Sequence, residues 1–566
     1  MHPLSRRRFL ELTGALAGSV TLSTAMSGCS LLAGGRPLSA ARFEHGVASG
    51  DPTGDGLIIW TRATPIEGDA TQPVTLNWEL ALDREFTKLV RSGQVDCSAS
   101  NDFTVKIDVR ELSSGRDYFY RFQAKDEYSP VGKGKTLPAG SVDRVKFAVF
   151  SCSNYPAGYF NVYEHASGFT DIDYALHLGD FIYEYSDTGY ASENAQRIGR
   201  TLADDNRGEL FTVNDYRKRY AHYYTDRGLQ ALNAAVPVIA VWDDHEICND
   251  TWNSGGENHN PGEGDFEARK LAAIQAYYEW VPIRPPMGEQ SERIYRSFEF
   301  GDLVGLHMLD TRIIGRSKQL AMADFVDSNT GQFDQKGFQQ ALFDPQRSLL
   351  GEEQLGWLNQ QVKQSKARWQ LLGQQVLMGK MWFPAAAMAG KDRSKAGETI
   401  GHLATLKQKS LRGQKLAEQE QQMLQRKLPY NLDAWDGYPV EREMLYRTLA
   451  EKQGNVVVVA GDTHNAWHSK LIDKDGHYVG VEFATPSVSS PGMEHYLSLE
   501  PQTAEQLAKA LPLLVDDLEY CNLKDRGHLQ LTFSREEVVA EWLYVDNIES
   551  PEYRLSGRHQ HVLSRA

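Results

Sequence analysis

Short runs of apolar residues, many of them β-branched, recur along the central part of the chain and end in polar clusters. The run Val236–Trp242 leads directly into two aspartates, a histidine and a glutamate at 243–246. An uninterrupted apolar run of this length is typical of a strand covered on both faces. In open α/β sheets, ligands bind at the carboxyl ends of the strands. Residues 243–246 are therefore candidates for a binding site, although a solvated loop after a core strand has the same pattern.

Three further apolar runs end in the same way, each followed by residues that can bind a metal ion. They are Val145–Phe150 before Cys152, Tyr174–Leu178 before Asp180 and Tyr183, and Val456–Ala460 before Asp462 and His464. The glycine that precedes both aspartates, at 179 and 461, lets the chain turn sharply and approach a ligand closely. Carboxylates and imidazoles buried together need a compensating positive charge, which a metal ion supplies. Four strands ending in this way predict a metal centre.

From residue 143 onward, apolar runs alternate with amphipathic stretches, which indicates an α/β layer architecture. The pattern predicts helices at 214–224, 266–278, 352–367 and 441–452, and a terminal β-hairpin at 528–534 and 538–545. The polar, helix-favouring stretch 385–428 is interpreted as a solvated insertion or, alternatively, a lid.

Residues 43–137 have a different pattern, with short strands at regular spacing separated by Gly, Pro, Asp and Ser. This spacing favours a β-sandwich of the fibronectin type III kind. We therefore predict an α/β protein with two domains after its leader: the sandwich at 43–137 and a catalytic domain at 143–550. The sandwich carries no evident chemistry, and its default role is to cover an edge of the second domain.

The N-terminus differs from both regions. Ser5–Leu10 contains consecutive arginines and precedes a mildly apolar run to Gly28. The combination predicts a twin-arginine signal peptide at 1–28, recognised by the twin-arginine translocase, and a periplasmic or cell-envelope location. Met26–Cys29 is similar to a lipoprotein cleavage box, so Cys29 is either a lipid anchor or incidental to cleavage nearby.

Composition and charge narrow the function further. Hydrophobic residues make up 41% and charged residues 24% of the 566 positions, as in ordinary globular proteins. A net charge of −15 makes a nucleic-acid-binding surface unexpected. An anionic substrate would have to be held by local positive charge from a metal ion or an arginine. The five cysteines lack the spacing of a disulfide scaffold, which favours Cys152 as a ligand.

The chemistry of the polar residues favours two different metal ions. Thiolate and phenolate donors suit Fe³⁺, whereas aspartates suit a harder ion such as Ca²⁺ or Mg²⁺. Two adjacent metals can hold a phosphoryl oxygen and activate water. His245 could donate a proton or contact phosphate outside the metal ligands. Arg312, after the run 304–309, could clamp an oxyanion, or could instead pair with Asp310 or another acid.

Several blocks together extend this interpretation. In chain order they are His45–Pro52, Ser151–Ser153, Gly179–Glu184, Trp242–Glu246, Leu309–Arg312, Trp435–Tyr438, Gly461–His464 and Pro486–Ser490. Their order resembles that of the metallophosphoesterases, and the whole chain is similar to the PhoD-like alkaline phosphatase family. The stretch 385–428 has no counterpart in this resemblance.

The resemblance implies a metallophosphoesterase-like α/β sandwich as the catalytic domain, with Fe³⁺ and Ca²⁺ or another divalent metal pair as cofactors. It assigns the metal ligands as follows: Cys152, Tyr183 and His464 to iron, Asp180 as the bridge between the metals, and Asp244 and Asp462 to the second ion. Further ligands stay open, with Asn154, Asn249 and Gln374 near the blocks.

The function implied is an exported phosphoric ester hydrolase of the alkaline phosphatase D type, acting on phosphate monoesters by attack of metal-activated water on phosphorus. An alternative is a phosphodiesterase or phospholipase D-like hydrolase, because diesters suit the same centre. A different class of function is a non-catalytic surface protein that has lost its metals. The presence of Asp180, Tyr183, Asp244, Asp462 and His464 argues against that third interpretation.

Overall fold

The computed structural model describes residues 36–66, 72–286, 292–388 and 396–565. The predicted signal peptide at 1–28 and Cys29 lie outside the described residues. No helix in these ranges has the length and apolar character needed to cross a bilayer.

Most strands of the described chain belong to three sheets. The strands are β1 Ala41–Arg42, β2 Val47–Thr53, β3 Gly56–Arg62, β4 Thr64–Pro65, β5 Val74–Ala81, β6 Leu89–Cys97, β7 Thr104–Val109, β8 Asp117–Gln123, β9 Gly132–Lys135, β10 Arg144–Phe150, β11 Tyr174–His177, β12 Val238–Ala240, β13 Arg296–Phe300, β14 Val304–Met308, β15 Trp369–Gly373, β16 Trp382–Pro384, β17 Lys427–Pro429, β18 Val456–Ala460, β19 Ala466–Ile472, β20 Tyr478–Ala484, β21 Leu518–Asn522, β22 Arg526–Ser534, β23 Glu537–Val545 and β24 Leu555–Ser564.

The helices lie mainly in the second part of the chain and include all four that the periodicity predicts. They are α1 Asn161–Ser167, α2 Ala195–Ile198, α3 Val213–Tyr223, α4 Arg227–Ala235, α5 Phe266–Trp280, α6 Gln335–Leu342, α7 Glu352–Gln364, α8 Ala385–Met388, α9 Ala396–Leu411, α10 Glu418–Gln425, α11 Pro439–Ala450, α12 Met493–Tyr496 and α13 Pro501–Leu514.

Two large sheets form the catalytic layers. Within the described residues, one has nine strands in the order β24-β23-β22-β10-β11-β12-β2-β3-β7, and the other has seven in the order β13-β14-β15-β18-β20-β19-β21. Aromatic rings join their facing surfaces: Phe147 of β10 lies 5.0 Å from Phe300 of β13, and Phe483 of β20 lies 5.5 Å from Trp542 of β23, between ring centroids. The predicted α/β fold with a sandwich catalytic domain is confirmed.

The N-terminal sandwich shares one of its sheets with the catalytic layer. Strands β2, β3 and β7 continue the nine-stranded sheet, because β2 pairs in parallel with β12 at Gly50 and Val238. The other sheet, β6-β5-β8-β9, covers them through a core that includes Leu57 and Trp78. A Cβ on Gly50 would lie only 2.5 Å from the Val238 carbonyl oxygen, so a side chain there would force the strands apart. The sandwich thus covers a sheet edge, while the boundaries 43–137 and 143–550 stay predictions.

The described parts of the stretch 385–428 contain the helices α8, α9 and α10, as predicted, but they are not simply a solvated insertion. Ile400 and Leu403 of α9 are buried in one hydrophobic core with Leu507 and Leu511 of α13. The apolar positions of α9 are spaced three and four residues apart, so they form one face that the neighbouring helix covers.

Candidate active site

The candidate residues meet because the strands that carry them are neighbours. Strands β10, β11 and β12 are adjacent and parallel in one sheet, and β14, β15 and β18 are adjacent and parallel in the other. Their carboxyl ends therefore face one edge of the pair of large sheets. The buried Gln375 joins the two sheets there, since its Nε2 donates to the Trp242 carbonyl oxygen at 2.7 Å and the Leu309 carbonyl oxygen at 2.9 Å.

Four of the predicted metal ligands form one buried group. Donor atoms of Cys152, Asp180 and His464 lie within 4.8 Å of one another. The Tyr183 hydroxyl donates to Asp180 Oδ2 at 3.1 Å and lies 3.3 Å from His464 Nε2. These residues come from three strand ends that are up to 312 positions apart in the chain, so only the sheet order brings them together.

The backbone at these ligands adopts a conformation that side chains seldom occupy. The φ angles of Cys152, Asp180, Asp462 and His464 are 61°, 56°, 62° and 64°. Left-handed backbone at non-glycine residues costs free energy and concentrates at functional sites, where the surrounding structure holds it in place. The hydrogen bonds around the site do so here, for example from the Ser490 hydroxyl to the Cys152 carbonyl oxygen at 3.0 Å.

Gly179 and Gly461, which precede Asp180 and Asp462, allow the turns after the strands to pack closely against one another. A Cβ on Gly179 would lie 2.2 Å from the Asp243 backbone nitrogen, and one on Gly461 would lie 2.6 Å from Ser151 Cβ. The close approach predicted from the sequence is present, but it brings one strand-end turn against the next. Glycine at both positions lets the candidate ligands come within reach of one another.

A second group of donors adjoins the first. Carboxylate oxygens of Asp243, Asp244 and Asp462 lie within 4.8 Å of one another, and donor atoms of Asp180, Asp244 and His245 form another such group. Asp180 therefore belongs to a group with Cys152 and to a group with Asp244. A carboxylate in that position can contact two cations, as a bridging ligand does.

Three carboxylate oxygens in these groups lack a hydrogen-bond partner among the described residues, although Asp244 Oδ1 lies 3.5 Å from Arg312 Nη2. In the described part of the chain, Asp180 Oδ1, Asp243 Oδ2 and Asp244 Oδ1 are buried and have no hydrogen-bond partner. Burial raises the pKa of Asp243 and of Asp462 well above the usual range, and neighbouring carboxylates add to the effect although Arg312 opposes it. Buried, unpaired carboxylate oxygens are costly, so these residues fit cations placed among them.

The thiol of Cys152 and the phenol of Tyr183 also fit a bound cation. Burial, followed by the charge of Asp180, raises the pKa of both Cys152 and Tyr183 well above the usual range. Without a cation, both groups are therefore protonated at neutral pH. Metal ligands of these two types must lose their protons, and a strongly charged cation supplies the required stabilisation.

Arg312 is engaged by carboxylates. It is fully buried, and its guanidinium pairs with Asp243, with Asp433 at 2.8 Å and with Asp462 at 2.8 Å. Asp310 instead accepts from the backbone nitrogen of Arg312 at 2.7 Å. Of the two roles predicted for Arg312, these contacts match the salt bridge, and the partners are acids other than Asp310. All the guanidinium nitrogens face carboxylates, so phosphate would have to displace one of these pairs.

His245 is held by a glutamate on the other side of the site. Its Nδ1 lies 2.7 Å from Glu184 Oε2, and its ring lies 4.2 Å from that of Tyr183 between centroids. Burial lowers the pKa of His245, but the carboxylates of Asp244 and Glu184 outweigh burial and raise it well above the usual range. Because Nδ1 is engaged, Nε2 is the nitrogen left to donate a proton to a substrate.

Glu246 has a structural role that the sequence analysis missed. Its carboxylate accepts hydrogen bonds from the backbone nitrogens of Asp180 at 3.0 Å, Phe181 at 2.6 Å and Asp243 at 2.7 Å. It thereby joins the turns that follow β11 and β12. Glu246 follows His245 in the same sequence block, so the sequence placed it near the site but could not reveal which backbone N–H groups it binds.

We expect Glu246→Gln to lower the free energy of unfolding by about 1–3 kcal/mol. A glutamine can present only one oxygen to these three N–H groups, so one or more buried donors loses its acceptor. Chemical denaturation of the purified protein measures the change. Glu536→Gln, at an exposed turn, is the matched control. Equal stability of the two variants would contradict the role given to Glu246.

Other residues of the site were also missed. Glu184 lies directly after Tyr183, and Ser490 lies in the block Pro486–Ser490, so both stood inside quoted motifs. The Ser490 hydroxyl donates to the Tyr183 hydroxyl oxygen at 2.7 Å. Asp433 follows no strand and shows no signal in the sequence. Of the further candidates, Gln374 accepts from Trp435 Nε1 at 2.7 Å, which is a structural contact.

Comparisons with known proteins agree with this geometry. A family model described as PhoD-like phosphatase matches residues 147–542, and one described as PhoD-like phosphatase, N-terminal domain, matches residues 29–138. Alkaline phosphatase D of Bacillus subtilis (strain 168) is 31% identical over an alignment of 580 positions, which covers 100% of this chain and 88% of that protein. A solved structure titled "Structure of PhoD" aligns with a TM-score of 0.73 at 31% identity, covering 94% of this chain and 92% of that one.

Proposed function

The chain belongs to the PhoD-like phosphatase family, and from that membership we propose that it is an exported, metal-dependent alkaline phosphatase. As a member of the family it is a phosphoric ester hydrolase. Metal dependence, the identity of the metals, the choice of ester and export are the parts that we propose.

One observation carries the metal-dependent mechanism. The buried Asp180 belongs to the donor group of Cys152 and His464 and also to that of Asp244, and its Oδ1 has no partner among the described residues. We propose that Asp180 bridges two metal ions. Cys152, Tyr183 and His464 would hold Fe³⁺, and Asp244 and Asp462 would hold Ca²⁺ or another divalent ion. Asp243 also belongs to the second group, and its carboxylate is paired with Arg312.

When bound, such a pair of metals would supply positive charge to the phosphoryl oxygens and activate water. The chain's own residues would complete the reaction. His245, oriented by Glu184, is positioned to hold a proton on Nε2 and deliver it to the leaving oxygen. Arg312 would keep the carboxylates of Asp243 and Asp462 in place rather than clamp the phosphate, because its donors already face them.

The name of the Bacillus subtilis relative favours phosphate esters as substrates, and we propose monoesters as the main class. A phosphodiesterase or phospholipase D-like preference is the second candidate, since the same groups can hold a diester. Relative rates on a chromogenic monoester and its matching diester distinguish the two. A non-catalytic surface protein is disfavoured by the intact donor groups. Export by the twin-arginine translocase and a lipid anchor at Cys29 remain proposals from the sequence.

The first test of this function is metal analysis of protein purified without chelator, paired with a phosphatase assay before and after calcium chelation. We expect about one iron per chain, and activity that is lost on chelation and restored by calcium. Zinc or manganese in place of both metals would keep the hydrolase but overturn the roles of Cys152 and Tyr183. Folded protein with neither metal nor activity would favour the surface-binding interpretation.

Colour gives a readout that does not depend on activity. Thiolate and phenolate ligands on Fe³⁺ should produce a visible charge-transfer band. We expect Tyr183→Phe to remove the phenolate part of the band while iron is retained. Tyr185→Phe is the matched control, because Tyr185 is two positions away in the chain and is not one of the candidate ligands. An unchanged spectrum in Tyr183→Phe would exclude Tyr183 as an iron ligand.

A further inference from the structure

A second cluster of metal-binding side chains lies where the edges of the two large sheets meet. His468 is on β19 and Glu519 on β21, both in the seven-stranded sheet, whereas His561 is on β24 at the edge of the nine-stranded sheet. One donor atom from each of the three lies within 4.8 Å of the others. None of these residues belongs to the donor groups of the candidate active site.

The side chains of this cluster lie close together, and one buried nitrogen among them has no partner within the described part of the chain. The rings of His468 and His561 are 4.1 Å apart between centroids, and His468 Nε2 lies 4.0 Å from Glu519 Oε2. His468 is only 2% exposed, and its Nε2 has no hydrogen-bond partner among the described residues. A buried ring nitrogen aimed at two other donors, and satisfied by neither, needs a partner.

The charge state of the histidines suits a cation. Burial, with smaller effects from His561 and His559, lowers the pKa of His468 to about 3. Burial also lowers the pKa of His559 and of His561. The imidazoles are therefore neutral at neutral pH, which is the form that binds metals. Glu519 adds a negative charge and is paired with Lys470, whose side chain is 48% exposed and can move to solvent.

We propose that His468, Glu519 and His561 form a binding site for a divalent transition-metal ion of the zinc class. Two imidazoles and one carboxylate are a common zinc ligand set, with water in the fourth position. Imidazole donors favour zinc over calcium or magnesium, which prefer oxygen donors. The ion would tie β24, the last strand, to the facing sheet. Strand β24 is at a sheet edge, where it pairs with β23, and it alternates exposed with half-buried residues.

The experiment uses the full chain without a polyhistidine tag, in the wild type and in the variants His561→Gln and His559→Gln. His559 is the matched control because it lies two residues away on β24 and stacks on Tyr520 at 3.5 Å, outside the donor group. His561 is preferred to the buried His468 as the test position because its substitution threatens folding less. Zinc uptake is measured by equilibrium dialysis and metal analysis, after circular dichroism has shown that each protein is folded.

We expect wild type and His559→Gln to bind about one zinc per chain more than His561→Gln. Zinc bound at the active site adds equally to all three proteins and cancels in this difference. Hydrogen exchange gives an independent readout: zinc should slow exchange over residues 555–564 in wild type and in His559→Gln alone. Equal zinc uptake by all three proteins, or equal loss in the two variants, would overturn the proposed site.

Discussion

Asp180→Asn should reduce kcat/KM for a phosphate monoester by about 10³-fold or more while the protein remains folded. A bridging carboxylate holds both metal ions, and metals of this kind contribute several kcal/mol to stabilising the transition state. Each 1.36 kcal/mol corresponds to a factor of about ten in rate. Asparagine has the same shape as aspartate and tolerates left-handed backbone, so the φ of 56° at this position should be preserved.

The assay for Asp180→Asn is steady-state kinetics together with metal analysis and circular dichroism. Asp204→Asn is the control, because Asp204 is an exposed acid whose side chain is 89% accessible. Its activity should equal that of the wild type. If Asp180→Asn kept both its activity and its full metal content, Asp180 could not be the bridge. Loss of activity with loss of fold would instead point to the hydrogen bonds of the turn.

Arg312→Met should lower the free energy of unfolding of the metal-stripped protein by about 3–5 kcal/mol. Arg312 is fully buried and pairs with Asp243, Asp433 and Asp462. Removing the cation leaves buried carboxylates without compensation, which costs far more than losing an exposed pair. Methionine keeps much of the volume of the arginine stem, so the change reports mainly the lost charge.

Urea denaturation after chelation measures the effect of Arg312→Met. Arg197→Met is the control, since Arg197 pairs with Glu549 but is 56% exposed, and it should change stability by about 0.5 kcal/mol or less. Adding Asp243→Asn to Arg312→Met should restore part of the loss, because among the described residues Asp243 forms an ion pair with Arg312 alone and is left uncompensated in that variant. Equal stability of the Arg312 and Arg197 variants would contradict the electrostatic role of Arg312.

The elements of the catalytic layers were predictable because their cores are continuous apolar segments. Val456–Ala460 is a strand and Phe266–Trp280 a helix in the structure, as the runs and the periodicity indicate. Strand Leu555–Ser564 was missed, since an edge strand with alternating exposed positions carries few apolar residues. Helix Pro501–Leu514 was also missed, and it supplies the face that packs against the helical insertion.

The candidate site was predictable where its residues follow strands. Cys152, Asp180 and His464 follow predicted strands, and the carboxyl ends of parallel strands meet at one edge of a sheet. Asp433 could not be found in this way, because it lies in a loop and reaches the site only through Arg312 and Arg316. The partners of Arg312 were likewise open, since a guanidinium can bind phosphate or carboxylate equally well.

The sequence by itself determined the central strands and four of the helices, which side chains stand at those strand ends, and which family the blocks resemble. These properties depend on the periodicity and order of residues along the chain. Only the tertiary structure decided that the N-terminal sandwich shares a sheet with the catalytic layer through Gly50, and that Arg312 is neutralised by four aspartates. Such contacts join residues far apart in sequence, and they arise from sheet order and charge compensation in the folded interior.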